Sequence, residues 1–533
     1  MSTEQVAARA AAQKGGATRV ALGILASRLL GLVRQRVFAH FFGNSVAADA
    51  FAVAFRIPNL LQNLLGEGVL SASFVPVYAR LLAEDAEERA REVAGAVLAI
   101  LALVVAVLVL VGVLGAPQIV AVLAPGFTGE SRALAIQLVR LLFPGAGLFV
   151  LSAWALGVLN SHRHFFLAYV APVAWNVAQI VALIYWGGRQ PQEALVVTVA
   201  WASVVGALLQ VLVQLPEVFK LAGRIRPVWR RANPDVREIV RNFLPVVTGR
   251  GVVQFSAYFD TWIASQVSAV VQGAVSALTY SQLIYMLPIS LFGASISAAE
   301  LPAMSSELGA EDEVASKLRA RLDSAVRRVA FLVIPSAVAF VVLGDFLVGA
   351  VYQGGLFARA DTEWVWGILA GSSVGLLATV FGRLYSSAFY ALRDTRTPMR
   401  FAIVRVSLSV LLAAAFALKG PGLLGIDARW GVAGLTLGSG LGGWIEYLLL
   451  RTALRRRIGD VGTSRRFLAT LWAMAVAASI VASTTRLATG VIPPLVLSLA
   501  GLLVYSVAYL ALARAVGVPE VSAVLARLPR RRR

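Results

Sequence analysis

Cysteine is absent from the 533 residues, and histidine occurs only at His40, His162 and His164. Disulfides and thiolate metal sites are thereby excluded, and histidines so scattered cannot form a metal cage. Charge is scarce as well. Only 14% of residues are Asp, Glu, Lys or Arg, against about a quarter in a soluble domain. The chain also lacks a glycine-rich phosphate loop and an HExxH pair. No cofactor and no metal are therefore expected. Without a nucleotide motif, any active transport must draw on an ion gradient or the membrane potential.

What fills the chain instead is apolar. Hydrophobic residues make up 59% of it, and the mean hydropathy is +0.77. This composition predicts an all-α polytopic membrane protein. Windows of about 19 residues give about 14 transmembrane helices. The formal charge of +20 could suggest nucleic acid, but the basic residues cluster between apolar spans, where membrane topology explains them. No nucleic-acid partner is expected.

The expected organisation is a tail over 1–17, a first lobe of six spans over 18–219 and a basic linker over 220–238. A second lobe of six spans follows over 239–451, then a basic loop over 452–465, two further spans over 466–514 and a basic tail over 515–533. The basic linkers all fall on one side of the membrane in this count, and the opposite loops are poor in Lys and Arg, which places both termini in the cytoplasm. The terminal ARLPRRRR stretch enforces that topology or touches anionic lipid.

An internal repeat supports two lobes. RIPNLLQNLLGEGVLSASFVPVYARLLAED (56–85) echoes YMLPISLFGASISAAELPAMSSELGAED (285–312), about 230 residues later. VLAPGF (122–127) then matches VYQGGLF (351–357), and GVLNSHRHF (157–165) matches YALRDTRTP (390–398). An even number of spans per repeat gives a parallel repeat, a transporter arrangement.

The first span raises a physical problem. LASRLLGLVRQRVF (25–38) carries Arg28, Arg34 and Arg36, and a charge at the bilayer centre costs from about 3 to well over 10 kcal/mol. On a helical wheel Ser27, Arg28, Gly31, Arg34 and Gln35 share a wedge of roughly 120°. Arg36 points elsewhere and can snorkel. Two explanations stay open for the stripe: pairing with acids of the second helix, or a water-filled cavity that binds an anion through the guanidinium fork. The second span adds Asp49, Arg56, Asn59, Gln62 and Glu67, and should bend at Pro58 and at the glycines flanking Glu67. Later spans add Arg250, Asp260 and Arg383 as possible coupling or second-lobe cavity residues. Asp260 either couples an ion or forms a structural pair with Arg250 or a neighbour. The balance inside the membrane is basic, which suits a negatively charged head group.

SRLLGLVRQRVFAHFFGNSVAADAFAVAFRIPNLLQNLLGEGVLSASFVPVYARL (27–81) resembles the opening of the MurJ (MviN-type) lipid II flippases. The matching residues include Ser27, Arg28, Gly31, Arg34, Gly43, Asp49, Phe51, Pro58, Asn59, Glu67, Phe74 and Pro76. Weaker family words follow at APGF (124–127), QVLVQLP (210–216) and DTRTP (394–398). The resemblance implies the MOP-superfamily (MATE-like) fold and flipping of a polyprenyl-pyrophosphate-linked saccharide to the outer leaflet of the bacterial cytoplasmic membrane. It makes Arg28 and Arg34 the pyrophosphate binders. Lipid II or a related lipid-linked saccharide, membrane lipids and other cell-wall synthesis proteins are the implied partners. The chain departs from the family pattern at Gln62, Asn63 and Leu283, where relatives carry basic residues. Arg56, Arg250, Arg383 or Arg405 are candidate replacements. Flipping of another polyprenyl-linked saccharide, or a scaffolding role in envelope synthesis, stays open.

Overall fold

The computed structural model describes residues 23, 26–227, 233–294, 311–488 and 490–525. Its secondary structure is helical, with one isolated bridge between Gly354 and Phe357 among the described residues. The chain divides into two compact units, Met1–Ser265 and Gln266–Arg533.

In the first unit α1 covers 26–42, α2 Val46–Leu65, α3 Glu67–Ala83, α4 Glu87–Leu114 and α5 Ala116–Leu123. Then come α6 Gly129–Ser161, α7 Phe165–Trp186, α8 Gln192–Ala222 and α9 Pro234–Ser268, whose last residues pass the division. Helix α6 is the hub, packing on α2, α3, α4 and α8. Its Trp154 is buried, and the indole Nε1 donates to the Ala94 carbonyl of α4 at 3.2 Å. Ser45 starts α2 by accepting the Ala48 amide. Gly66 ends it, as the glycines around Glu67 predicted. A Cβ there would stand 2.1 Å from the Gln62 carbonyl, so only glycine allows the break between α2 and α3.

In the second unit α10 covers Ala274–Pro288 and runs into a π-helical turn, Ile289–Ala294. Then follow α11 Glu311–Val342, α12 Gly344–Tyr352, α13 Arg359–Ser373, α14 Leu376–Ala391 and α15 Arg396–Leu418. The chain continues through α16 Gly420–Leu424, α17 Gly431–Ile458, α18 Arg465–Ser483, α19 Pro494–Ala515 and α20 Glu520–Leu525. Helices α15 and α17 meet along a seam of small residues. A Cβ on Gly438 would lie 2.6 Å from the Ala413 amide nitrogen, the close approach that small residues permit between membrane helices.

Ten stretches of helix are long and apolar enough to cross a membrane among the described residues. The other four expected spans coincide with α1, α7, α9 and α17, whose described parts fall short of that length or hydropathy. Helix α17 does so because glycine and Glu446 dilute its apolar content. The exposed surface is itself apolar. Leu103, Val107, Leu110 and Leu114 of α4 stand outward at intervals of three or four residues, as do Leu499, Leu503 and Val507 of α19. Such a band suits hydrocarbon and not water.

Part of the repeat read from the sequence recurs in the backbone, with the match to 157–165 shifted from 390–398 to 387–395, while 295–310 of the first match lie outside the described residues. Helix α6, Gly129–Ser161, matches α13 and α14, Arg359–Ala391, at an offset of 230 residues. The turn after α6 has Arg163 at φ 61°, with its amide bonded to the Asn160 carbonyl and the His164 amide to the Leu159 carbonyl. The turn after α14 has Arg393 at φ 58°, bonded to Tyr390, with Asp394 bonded to Phe389. Every partner keeps the offset. A non-glycine residue in the left-handed region costs roughly 1–2 kcal/mol, so its recurrence reflects shared architecture. In the second turn the Asp394 carboxylate accepts the Thr397 amide at 2.9 Å and pairs with Arg457 at 2.7 Å. The Thr397 amide and hydroxyl, with Arg457 beyond them, hold that carboxyl below its ordinary range.

Helices α18 and α19 dock on α11 and α12. The fastening is specific. Pro335 inside α11 has no amide hydrogen, so the Phe331 carbonyl loses its helical donor. The Tyr509 hydroxyl of α19 donates to that carbonyl at 2.8 Å, and the Tyr505 hydroxyl donates to the Pro335 carbonyl at 2.7 Å. We expect Tyr509→Phe to lower stability by about 1–3 kcal/mol, the cost of an unsatisfied buried acceptor. Pro335→Ala in the same chain should recover most of that loss by restoring the amide donor. Thermal unfolding in detergent checks both, and an unchanged midpoint for Tyr509→Phe would rule the explanation out.

Candidate functional site

The polar stripe of α1 faces α7. Arg34 is half-buried there, and its Nη1 donates to Gln179 Oε1 at 3.2 Å. Nη2 donates to Gln35 Oε1 at 3.4 Å. The guanidinium carbon sits 4.6 Å from the centre of the Trp175 ring, a cation–π distance. That ring is held in turn. Phe55 of α2 stacks on it at 5.6 Å and 23°, and Phe149 of α6 meets it edge-on at 5.7 Å. A row of rings runs from Phe38 through Phe51 and Phe55 to Trp175. Arg34 thus stands on a rigid aromatic platform, and an amide fixes its fork. Arg28 is exposed on the same stripe, about 9 Å away along the axis.

Helix α7 supplies what the sequence reading missed. Trp175, Asn176 and Gln179 sit in the apolar run APVAWNVAQIV, and their spacing of three and four puts them on one face. Asn176 is 5% exposed and Gln179 1%. Asn176 Nδ2 donates to the Pro172 carbonyl at 3.1 Å. Three buried atoms of this face, Trp175 Nε1, Asn176 Oδ1 and Gln179 Nε2, have no hydrogen-bond partner. Each such atom costs about 1–3 kcal/mol. The available signal was two amides inside a short apolar helix.

The other expected residues divide. Asp49 is buried in the first turn of α2, where the helix dipole favours a carboxylate. Arg56 is half-buried and lies within electrostatic reach of Asp260 on α9. The Tyr258 hydroxyl donates to the Arg56 carbonyl at 3.3 Å. The carboxylate expected to face Arg250 or a neighbour therefore has Arg56 of α2 as a charged neighbour. Gln62 is half-buried, and its backbone carbonyl accepts the Gly66 amide at 2.9 Å. Asn59 and Arg383 are exposed. The side chains of Glu67 and Arg250 lie outside the described residues. Arg405 pairs with Glu446 at 3.3 Å across α15 and α17, which weakens it as a replacement cation for Gln62, Asn63 or Leu283.

Asp260→Asn should lower thermal stability, because Arg56 loses a counter-charge. Arg56→Gln in the same chain should offset part of the loss. A double-mutant cycle by thermal unfolding should give a coupling of about 0.5–3 kcal/mol. Strict additivity would show that the two groups do not act together.

The chain is similar to known proteins over most of its length. A family model described as lipid II flippase MurJ matches residues 38–500. A lipid II flippase MurJ of Burkholderia cenocepacia is 33% identical over 440 residues, covering 81% of this chain and 82% of that protein. A probable lipid II flippase MurJ of Rhizobium meliloti is 31% identical over 479 residues, covering 89% of this chain and 85% of that protein. Among solved structures, a lipid II flippase MurJ in an inward closed conformation matches with TM-score 0.74 at 22% identity. It covers 93% of this chain and 99% of that one. An inward-facing multidrug resistance MATE transporter of the MOP superfamily matches with TM-score 0.63 at 19% identity, covering 83% of this chain and 98% of that one. At those identities the solved structures speak for the fold alone.

Proposed function

The chain belongs to the MurJ lipid II flippase family, and we propose that it moves lipid II from the inner to the outer leaflet of the cytoplasmic membrane by alternating access. It is a transporter and not an enzyme, since flipping breaks no covalent bond. The substrate couples a prenyl tail, which stays in lipid, to a diphosphate-linked saccharide-peptide head group, which must be taken out of water.

Arg34 carries this reading. Gln179, Gln35 and the Trp175 ring, all uncharged, orient its guanidinium. A planar fork fixed in this way is suited to two oxygens of one phosphate. Arg28, exposed on the same stripe, supplies a second cation for a diphosphate. In the same proposal Asp49, Arg56, Asn59, Gln62 and Glu67 continue the polar surface along α2 and α3. Arg250, Asp260 and Arg383 contribute from later helices, with Asp260 also serving Arg56. Both termini face the cytoplasm in this reading, which rests on the basic linkers.

Gln62, Asn63 and Leu283 favour a second reading, in which the cargo is another polyprenyl-diphosphate saccharide. Genetic replacement separates the two. When a bacterium's own flippase is depleted, this chain should restore growth and outer-leaflet lipid II. An inserted protein that fails would move the assignment to the second reading. Arg28→Ala and Arg34→Ala should each abolish rescue while leaving insertion intact. Arg34→Lys should not restore it, because an ammonium reproduces neither the fork nor the ring stacking. Collapsing the membrane potential should stop transport, and transport that persisted without it would argue against electrical coupling.

A further inference from the structure

The unmatched atoms of α7 have fixed chemical identities. Asn176 Nδ2 is committed to the Pro172 carbonyl, so the amide cannot be flipped without losing that bond, and Oδ1 is the atom left over. Gln179 Oε1 is committed to Arg34, so Nε2 is left over. Trp175 Nε1 can only donate. The face therefore offers two donors and one acceptor beside the arginine, all three atoms buried, on an almost wholly buried Asn176 and Gln179 and a half-buried Trp175. Across from it stands Gly31 of α1, where even a Cβ would lie 3.8 Å from Asn176 Oδ1. Burying these atoms unpaired favours parting of the seam between α1 and α7.

We propose that Trp175, Asn176 and Gln179 form a saccharide subsite beside Arg34, opened when α1 parts from α7, which binds the hydroxyl or amide groups of a sugar attached to the diphosphate. The proposal rests on the lipid-linked saccharide reading above and adds the residues that recognise the sugar. The donor–acceptor mixture decides the ligand class. A second phosphate offers only acceptors, and its oxygens would meet the Asn176 carbonyl as like charge. A hydroxyl both donates and accepts, and a sugar acetamido group carries one N–H and one C=O. Either satisfies the acceptor and a donor together. The Trp175 ring itself is not available for stacking on sugar, because Arg34 and Phe55 already lie against it.

The test compares two probes on the purified full-length protein: undecaprenyl diphosphate, which has no sugar, and lipid II. The variant is Asn176→Leu. It removes Oδ1 and leaves Trp175, Gln179 and the Arg34 fork in place. Lipid II binding should weaken about tenfold or more, the penalty for losing hydrogen bonds built for a ligand hydroxyl or amide. Undecaprenyl diphosphate binding should stay within about twofold of the parent, because the diphosphate seat is untouched. Equal weakening of both lipids would reduce Asn176 to a support for Arg34, and unchanged binding of both would remove it from recognition; either overturns the subsite. A parent protein that binds neither lipid would overturn the underlying reading instead. If Asn176→Leu is unstable, Asn176→Ala, checked for an unaltered unfolding midpoint, should show the same selective loss of lipid II binding.

Discussion

Hydrocarbon offers no hydrogen bonds, so every polar group carried into it must bring its partner along. That constraint organises this molecule. It decides where prolines can interrupt helices, where arginines can stand and which helices must touch. The Phe331 carbonyl, freed by Pro335, is met by Tyr509. Arg34 is met by Gln179, Gln35 and a tryptophan ring, and Arg405 by Glu446. In each case a partner comes from another helix. The polar groups therefore fix the packing of the bundle as firmly as its apolar surface, which has little reason to prefer one neighbour over lipid.

The repeat sharpens this view. Two halves share backbone turns at an offset of 230 residues, down to two arginines held at positive φ. Their chemistry is not shared. The positions matching Arg28 and Arg34 are Tyr258 and Ala264, and the position matching Trp175 is Arg405. The halves thus kept their turns and packing in common, while the charged platform developed on one side. Arg405 shows what the other side did with a cation: it became part of a helix–helix contact.

Much of this was legible in the sequence, for reasons that can be named. The arginine stripe of α1 was visible because charge in an apolar span is costly and periodic. The break at Gly66 was visible because glycines bracket an acid there. The repeat was visible because prolines and turn residues recur. The proximity of Arg56 to Asp260 was hidden, because helical periodicity says nothing about a contact between α2 and α9. The role of α7 was hidden for a different reason. Two amides and an indole inside an apolar run look like ordinary core until the guanidinium they serve is placed against them. Hydropathy also undercounted α17, where close backbone packing takes over what bulky side chains do elsewhere.

The fastening of α19 to α11 carries a historical consequence. A tyrosine facing an intact helix is harmless, since its hydroxyl can share a carbonyl that already has a donor. A proline in α11 without that hydroxyl leaves an acceptor stranded in a medium that cannot satisfy it. The substitutions that produced Pro335 and Tyr509 therefore had a favoured order, tyrosine first. Once both were in place the tyrosine could not easily be lost while the proline remained. The C-terminal hairpin is retained on α11 by a ratchet.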